Sequence, residues 1–554
     1  MDYAAVLETY TMTFKSIINR YLFILLLSQL AVIPLFAQSV PEPYSYQFYQ
    51  KLNEYIYSTK TRSHSSLKPF LADDSLISRP IDSLLDNKQG DNQQSLIYRK
   101  LFNAHLVEIN APHSSFFADL LPDFTIGRDF SDHKTTGLGS LGIQFGGKEG
   151  SKISYYVSSY VNKAGFPNYL TSYINDIGII PGQAYARSSN NKNYSWYYIT
   201  ASISYTSIKY LNITAGRDKT FIGDGYRSML LSDYASPYPF LKLTGTLGDV
   251  RYMVMWTYMN DPATTSQYNI DRKKFGVFHY LDWTVNNRLS IGFFDNVMVF
   301  HTDDNGVKRP FDVNYINPVI FLQPINNASD NSDKSLMGLT ARYKINDGIT
   351  AYGQFALNEF RSKDFFSSNG SYGNKYGWQL GFRGTNLLKV RGLNYLLETN
   401  SAKPYTYSAR SAIANYSENG EPLAHPWGAN FREILALLNY TYKRFDFSSE
   451  VDLGKYGLDI NGLNYGKDIF KVYTNPAKFL DNYTEQGLAT HMIYVEEKAA
   501  FLLNPKYNLR IELGAILRDE KNAISNTTTT LLTFGLRSSF RNIYSDLTSR
   551  HIAH

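Results

Sequence analysis

The sequence predicts an all-β fold: a transmembrane antiparallel β-barrel of about 18 strands (about 16–18), preceded by a small N-terminal periplasmic helical segment. From residue 116 to residue 540, apolar residues recur at every second position in many runs. The opposite face of these runs is rich in glycine and hydroxyl residues, and tight turns alternate with long polar connections. An apolar outer wall, a polar lumen and unequal connections at the two ends are typical of membrane barrels.

Residues 1–37 are predicted to be a signal peptide. Lys15 and Arg20 precede an apolar core at residues 21–36 (YLFILLLSQLAVIPLF), and Ala37 is a small residue suited to cleavage. Met1 and Met12 are both candidate starts, and an uncleaved anchor is the alternative to cleavage. Cleavage near Ala37 predicts export, with the outer membrane of a Gram-negative cell as the destination.

Residues 38–112 are predicted to form a periplasmic linker and helical segment. The stretches PIDSLLDN and QQSLIYRKLFNAHLVEI place apolar residues three to four positions apart, which is the helical spacing. Asp82 or Ser83 is a candidate cap for the first helix. We therefore expect one to three helices on the periplasmic side.

Residues 113–540 are predicted to form the barrel. Runs such as YYITASISY (197–205) and MGLTARYKI (337–345) alternate apolar residues with small or polar ones. Tight connections at 286–287 and 346–348 contrast with long ones at 302–334 and 401–430. A soluble β-sandwich would alternate as well, but its polar face would not favour glycine and hydroxyl groups so strongly. Residues 541–554 are expected to be a polar tail on the periplasmic side.

Composition and spacing argue against several functional classes. There is no cysteine, and the net charge of +6 is spread without a dense basic block, which argues against nucleic-acid binding. The ten histidines are scattered, and adjacent carboxylates on a strand point to opposite faces. No Gly-x-Ser-x-Gly elbow accompanies a suitable histidine and acid. We therefore expect no enzyme activity, no catalytic residues, no metal and no cofactor.

Residues 216–243 (GRDKTFIGDGYRSMLLSDYASPYPFLKL) form the densest unusual segment. One hypothesis is that its donors bind a carboxylate or phosphate group. The alternative is that its charges pair with one another and brace a loop folded into the lumen. The candidate ligand-binding residues are Arg217, Asp218, Lys219, Asp224, Tyr226 and Arg227, and the structural-turn glycines are Gly216, Gly223 and Gly225.

Aromatic residues in the connections are a second set of candidates. Sugar rings stack their C–H faces on aromatic side chains, so such residues suit a polysaccharide ligand. The alternative is that they belong to the interfacial aromatic girdle. The candidate sugar-stacking residues are Tyr234, Tyr238, Tyr405, Tyr407 and Trp427.

The segment FIGDGYRSMLLSD followed by YPFLKL resembles the signature of the Wzi-like capsule-assembly barrels, and within them the RemB-like gliding-motility proteins of the Bacteroidetes. Further matches are YRKLFNAHLVE, FPNY, IPGQ and LAHPWGANFRE, so the resemblance extends from residue 98 to about 433. Phe221, Ile222 and Tyr226 stand where the Wzi-like pattern has tryptophans, which favours the RemB-like branch. The resemblance implies an outer-membrane barrel of about eighteen strands with a periplasmic helical bundle.

The family resemblance implies a non-enzymatic role at the cell surface. In the capsule branch it implies attachment of capsular polysaccharide or exopolysaccharide, and in the gliding branch it implies gliding motility and surface adhesion. The expected partners are outer-membrane lipid, extracellular polysaccharide, and motility or secretion machinery. A passive porin and an outer-membrane scaffold of such machinery remain as alternatives.

Overall fold

The computed structural model describes residues 44–71, 80–81, 83–85, 95–188, 190, 192–261, 272–300, 302, 307–308, 313–322, 334–359, 369–538 and 540–549. The predicted signal peptide at 1–37 lies outside the described residues. Within the described part of the chain, no helix is both long and apolar enough to cross a membrane.

Among the described residues, eighteen antiparallel strands close into a barrel, which confirms the predicted fold class and strand number. The last strand pairs with the first, and Leu536 lies opposite Phe124 at this closure. In chain order the strands are β1 Ser114–Asp129, β2 Lys134–Glu149, β3 Ile153–Gly165, β4 Asn193–Ile208, β5 Leu211–Asp218, β6 Tyr238–Leu247, β7 Val250–Asp261, β8 Arg272–Thr284, β9 Leu289–Phe300, β10 Lys334–Asn346, β11 Ile349–Glu359, β12 Lys375–Gly384, β13 Leu393–Ala402, β14 Phe431–Tyr442, β15 Phe445–Leu458, β16 Leu488–Asn504, β17 Leu509–Lys521 and β18 Asn526–Ser538.

The connections at the two ends of the barrel differ in length. One end carries tight connections such as 209–210, 347–348 and 443–444, and β1 begins and β18 ends there. We call it the turn end. The opposite loop end carries the long connections 166–192, 219–237, 403–430 and 459–487. This is the asymmetry that the sequence pattern predicts.

The two faces of the wall differ in chemistry. On β17, Ile511 and Leu513 are exposed on the outer wall, while Arg510 and Glu512 are buried on the lumen side. Side chains alternate between the faces because the side-chain period of a strand is two. The outer wall is therefore apolar and the lumen polar.

The N-terminal part contains short helices, α1 Tyr46–Tyr49, α2 Asn53–Ile56 and α3 Leu96–Phe102, with a 3₁₀ turn at Gln50–Leu52. The spacing of residues 93–109 predicts helix, and Leu96–Phe102 is helical, but Val107–Asn110 forms a strand paired with β1. The prediction is wrong at Val107–Asn110 because cross-strand hydrogen bonding overrides the local spacing. Ser83 lies within the helical residues 83–85 and is therefore not a cap, while Asp82 lies outside the described residues.

Residues 44–71, which we call the N-terminal plug, lie inside the turn end of the barrel. Lys51 Nζ donates to Asp446 at 2.7 Å, and Lys344 Nζ donates to the Thr61 carbonyl at 2.9 Å. His64 Nδ1 lies 3.0 Å from Asp282 on β8. This part of the segment predicted as periplasmic is therefore held within the barrel by polar contacts to its wall.

Residues 313–322 pack against the outside of β7–β9, and we call them the outer strap. They cover an outward-facing pair in which His279 Nδ1 lies 2.7 Å from Asp295 Oδ1. The backbone N–H of Phe321 donates to Asp295 Oδ2 at 2.9 Å. Ile316 and Val319 are exposed on the far side of the strap. A polar pair on the outer wall is thus covered by the chain itself.

Candidate functional site

The candidate segment leaves β5 and folds into the lumen as residues 219–237, which we call the inner loop. Its residues Phe221–Ile222 pair with Leu67–Lys68 of the N-terminal plug. The inner loop is buried almost throughout. Two segments that are distant in the sequence therefore meet in the centre of the barrel.

Asp224 lies at the contact between the inner loop and the plug. Its carboxylate accepts hydrogen bonds from Ser65, from Ser66 at 2.6 Å and from the Tyr57 hydroxyl at 2.9 Å. Although burial raises the pKa of Asp224, the nearby Arg342 and Lys68 cations outweigh burial and lower that pKa to about 2. Asp224 is therefore an ionised anchor for the plug.

Arg227 is buried and surrounded by carboxylates. It forms ion pairs with Asp546 and with Glu433, whose Oε1 lies 3.4 Å from Nε, and its Nη2 lies 3.6 Å from Asp452. The adjacent Tyr226 hydroxyl donates to Glu450 at 3.2 Å. These candidate donors are engaged by acids of the barrel wall and of the C-terminal residues. Among the described residues, no cluster of His, Asp and Glu has the geometry of a metal site.

The other charged candidates are Arg217 and Asp218 at the end of β5 and Lys219 directly after it. Lys219 Nζ donates to the carbonyls of Gly182 at 2.7 Å and Asp233 at 2.8 Å, while Asp218 accepts the Lys219 backbone N–H. Arg217 lies on the outer wall, because it is paired between Ala201 and the exposed Pro239. The structure thus brings Asp218, Lys219, Asp224, Tyr226 and Arg227 into the lumen and leaves Arg217 outside it.

The three candidate glycines allow close approaches. At Gly216 a Cβ atom would meet the backbone of Ala201, and at Gly225 it would meet the side chains of Glu398 and Gln379. Gly223 has a φ of +140°, which is open to glycine but strained for other residues. Gly223 therefore permits the turn, and Gly225 permits the packing of the inner loop on the wall.

The five aromatic candidates are buried. Tyr234 and Tyr173 share a hydrogen bond of 2.8 Å, and the Tyr407 hydroxyl donates to the Met229 carbonyl at 2.8 Å. Trp427 Nε1 donates to the Asp546 carbonyl at 3.0 Å. Tyr238 and Tyr405 are each 1 % exposed. Their role in stacking on sugar stays a prediction, and it would require displacement of the groups that cover them.

The C-terminal residues 540–549, which we call the lumen tail, turn back into the barrel after β18. Arg541 donates to Asp123 at 3.2 Å, and Ser549 N donates to the Tyr456 hydroxyl at 3.3 Å near the loop end. Between them, Ser545 lies 2.7 Å from the Tyr494 hydroxyl. The expectation that the tail lies on the periplasmic side is therefore wrong for residues 541–549, because its polar groups find partners on the lumen wall.

A buried hairpin in the connection 403–430 fastens the inner loop from the loop end. It pairs Ser417–Glu418 with Glu421–Pro422. Glu421 accepts hydrogen bonds from the backbone N–H groups of Gly182 at 2.7 Å and Ser236 at 2.8 Å. Burial raises the pKa of Glu421 to about 7 and that of Glu418 to about 8. These carboxyls therefore favour their neutral forms at moderately acidic pH.

A polar cavity of about 80 Å³ remains between the plug, the lumen tail and β14–β18. By volume it has room for several water molecules. It shares Lys498 and Arg510 with a second cavity that extends toward Asn508 at the turn end. A narrow polar space thus follows this side of the lumen.

Sequence reasoning did not identify the exposed aromatics of the connection 459–487. Phe479 is 62 % exposed and Tyr483 57 % exposed, and they flank Leu480, which is 52 % exposed. The Phe479 ring contacts Tyr372 with centroids 5.4 Å apart. We call Tyr372, Phe479, Leu480 and Tyr483 the loop ridge. The run KFLDNY does not alternate and has no motif, so only its aromatic content could have marked it.

No protein-family model matches the sequence, and no curated protein matches it. A solved structure with a similar fold is Wzi of Escherichia coli, an outer-membrane protein involved in group 1 capsule assembly and a carbohydrate-binding β-barrel. It has 12 % sequence identity and a TM-score of 0.53, and the match covers 91 % of this chain and 100 % of Wzi.

Two further structures match less well. Acinetobacter baumannii OccAB2 has 10 % identity, coverage of 76 % and 97 %, and a TM-score of 0.41. Pseudomonas aeruginosa OprD has 8 % identity, coverage of 76 % and 94 %, and a TM-score of 0.40. The match to Wzi, with a TM-score of 0.53 over most of both chains, shows that this chain shares the barrel fold of Wzi.

Proposed function

We propose that this chain is a non-enzymatic outer-membrane barrel that contacts extracellular polysaccharide at its loop end. The observation that carries the proposal is that the plug, the inner loop and the lumen tail occupy the lumen and bond to one another there. The apolar outer wall supports a membrane location. A barrel filled in this way suits binding at its outer end better than transport of a polymer through it.

The loop ridge supports polysaccharide as the ligand class. Its exposed rings offer apolar faces for sugar C–H groups, and the Tyr483 hydroxyl and the neighbouring Lys478 offer hydrogen bonds. Wzi, which shares the fold, is a carbohydrate-binding barrel. The RemB-like resemblance of the sequence supports a role in gliding and adhesion.

The double variant Phe479→Ala, Tyr483→Ala tests the site. We expect binding of the cell's own purified surface polysaccharide to fall several-fold in a pull-down with the detergent-solubilised barrel, because the stacking faces are lost. Tyr197→Ala is the matched control, since Tyr197 is 54 % exposed but lies on the outer wall. Equal binding by the double variant and the wild type would exclude the loop ridge.

Deletion of the gene separates the two cellular roles. Loss of capsule retention with normal colony spreading would support the capsule branch. Loss of spreading with normal capsule would support the gliding branch, including an action through motility or secretion machinery. No change in either trait would contradict the proposed surface function.

A second candidate function, a passive channel, is favoured by the polar space lined by Lys498, Arg510 and Glu512. Planar-bilayer recording of the full chain distinguishes the two functions. Steady unitary conductance at low voltage would support the channel. A silent bilayer with correctly folded protein would support a closed surface receptor.

A further inference from the structure

Glu497 occupies an unusual position on the outer wall of the barrel. On β16 its cross-strand neighbours are Ser449 of β15 and Ala515 of β17. On the outer wall Glu497 is exposed, and Ser449 donates a hydrogen bond to its carboxylate at 2.6 Å.

The position of Glu497 along the strand corresponds to the middle of the apolar band. Toward the turn end, Phe501 and Phe445 lie with ring centroids 4.9 Å apart, as in an aromatic girdle. Toward the loop end, Ile493 is exposed and is followed on the same face by the exposed His491. Glu497 lies midway between Phe501 and Ile493 in sequence.

A charged group at this depth is unfavourable when it faces lipid chains, because hydrocarbon offers no hydrogen-bond donor. The outer strap covers another polar group on the outer wall. The outward-facing pair His279 and Asp295 is buried beneath the strap, and Phe321 N–H donates to Asp295. No described residue covers Glu497 in this way, since its side chain is exposed.

The surroundings of Glu497 leave room for another polypeptide. Ser449, Ala499 and Ala515 are small, whereas Phe447 and Leu513 beside them are larger and exposed. Small side chains let another backbone approach closely within a membrane. We call Ser449, Glu497, Ala499 and Ala515 the outer patch.

We propose that the outer patch binds a different membrane-embedded protein that presents a lysine or arginine to Glu497. Lipid chains cannot supply this charge, and anionic lipid headgroups lie at the membrane surface. A second copy joined patch to patch about a two-fold axis would bring like charges together. This inference rests on the proposed outer-membrane location and adds a partner to it.

A photo-reactive amino acid at Ala499 tests the proposal in the native cells. We expect one discrete protein adduct whose cross-linked membrane segment carries a lysine or arginine. The adduct should fall at least several-fold in Glu497→Gln and Glu497→Leu. In pure vesicles, Glu497→Leu should raise the urea midpoint of unfolding, since the variant no longer exposes a carboxylate to lipid. Heat-modifiable gel mobility checks folding.

The same probe at Ile199, an exposed outer-wall position on β4, serves as the control. It should label lipid, and failure there would contradict the membrane location itself. With lipid labelling intact at Ile199, three outcomes at Ala499 would overturn the docking proposal. These are lipid adducts alone, cross-links to a second copy of the chain, and a protein adduct unaffected by both substitutions.

Discussion

Arg227 is a single cation that balances several buried acids. Replacement by methionine would leave Glu433, Asp452 and Asp546 buried without their shared partner. Loss of one member of such a network costs about 3–5 kcal/mol. We therefore expect Arg227→Met to lower the free energy of unfolding by about that amount, measured by urea titration in lipid vesicles. Arg217→Met, on the outer wall, is the control. A similar loss in both variants would contradict the role given to Arg227.

Gly225 is required by packing, whereas Gly223 is required by backbone conformation. A methyl group at Gly225 would meet Glu398 and Gln379, so we expect Gly225→Ala to destabilise the barrel by about 1–3 kcal/mol. Gly139→Ala is the matched control, because its Cβ would approach only the Lys163 carbonyl, at 3.9 Å. Comparison of their thermal midpoints checks this, and equal midpoints would show that the inner loop moves aside freely.

At the scale of elements, the buried hairpin at Ser417–Glu418 and Glu421–Pro422 predicts a pH dependence. Burial raises the pKa of Glu421 to about 7 from the usual glutamate value of 4.5. The folded state therefore binds a proton that the unfolded state releases between these two pH values. Its contribution to stability is complete below pH 4.5 and is lost as the pH rises through about 7.

Glu421→Gln should remove this dependence, because the amide is neutral at every pH. The stability of the wild type relative to this variant should fall by up to about 3 kcal/mol between pH 4.5 and pH 8. Urea midpoints at a series of pH values measure it. Asp224 affects stability in a different pH range. Because the pKa of Asp224 is lowered in the folded state, its contribution to the free energy of unfolding is lost only below about pH 4. A parallel pH profile in wild type and variant would contradict the assignment.

Among the elements, most barrel strands were predictable from local sequence pattern, and the contacts inside the lumen were not. Alternation identified runs such as those of β4 and β10, because the side-chain period of a strand is a local property. It failed at Val107–Asn110, where apolar spacing suggested helix but pairing with β1 decided the outcome. The inner loop was recognisable from its glycines and charges. Its partners, the N-terminal plug and the lumen tail, come from opposite ends of the chain and carry no local signal.

At the scale of the whole molecule, long-range pairing decides what fills the barrel. Asp546 pairs with Arg227 across 319 residues of sequence, and Tyr57 bonds to Asp224 across 167 residues. The closed wall was predictable from many similar strands. The position of the lumen tail was not predictable, because a polar segment is equally stable in water and in a polar lumen. The loop ridge was not predictable either, because the exposure of its residues depends on how the neighbouring loops fold.

The lumen tail gives the most direct test of this filled architecture. The wall closes between β18 and β1, before the tail begins, so deletion of residues 541–554 should leave the barrel folded. The deletion removes Asp546 from Arg227 and opens the space beside Tyr494. We expect the truncated barrel to show larger or longer openings in planar bilayers than the full chain.

Asp546→Asn provides the matched control, because it removes the charge while keeping the tail. It should weaken the ion pair to Arg227 without emptying the lumen, so its conductance should stay close to that of the full chain. Polysaccharide binding by the truncated barrel should change little if the loop ridge is the binding surface. If truncation left conductance unchanged in a folded barrel, the plug and inner loop alone would close the lumen, and the tail would serve only to brace them.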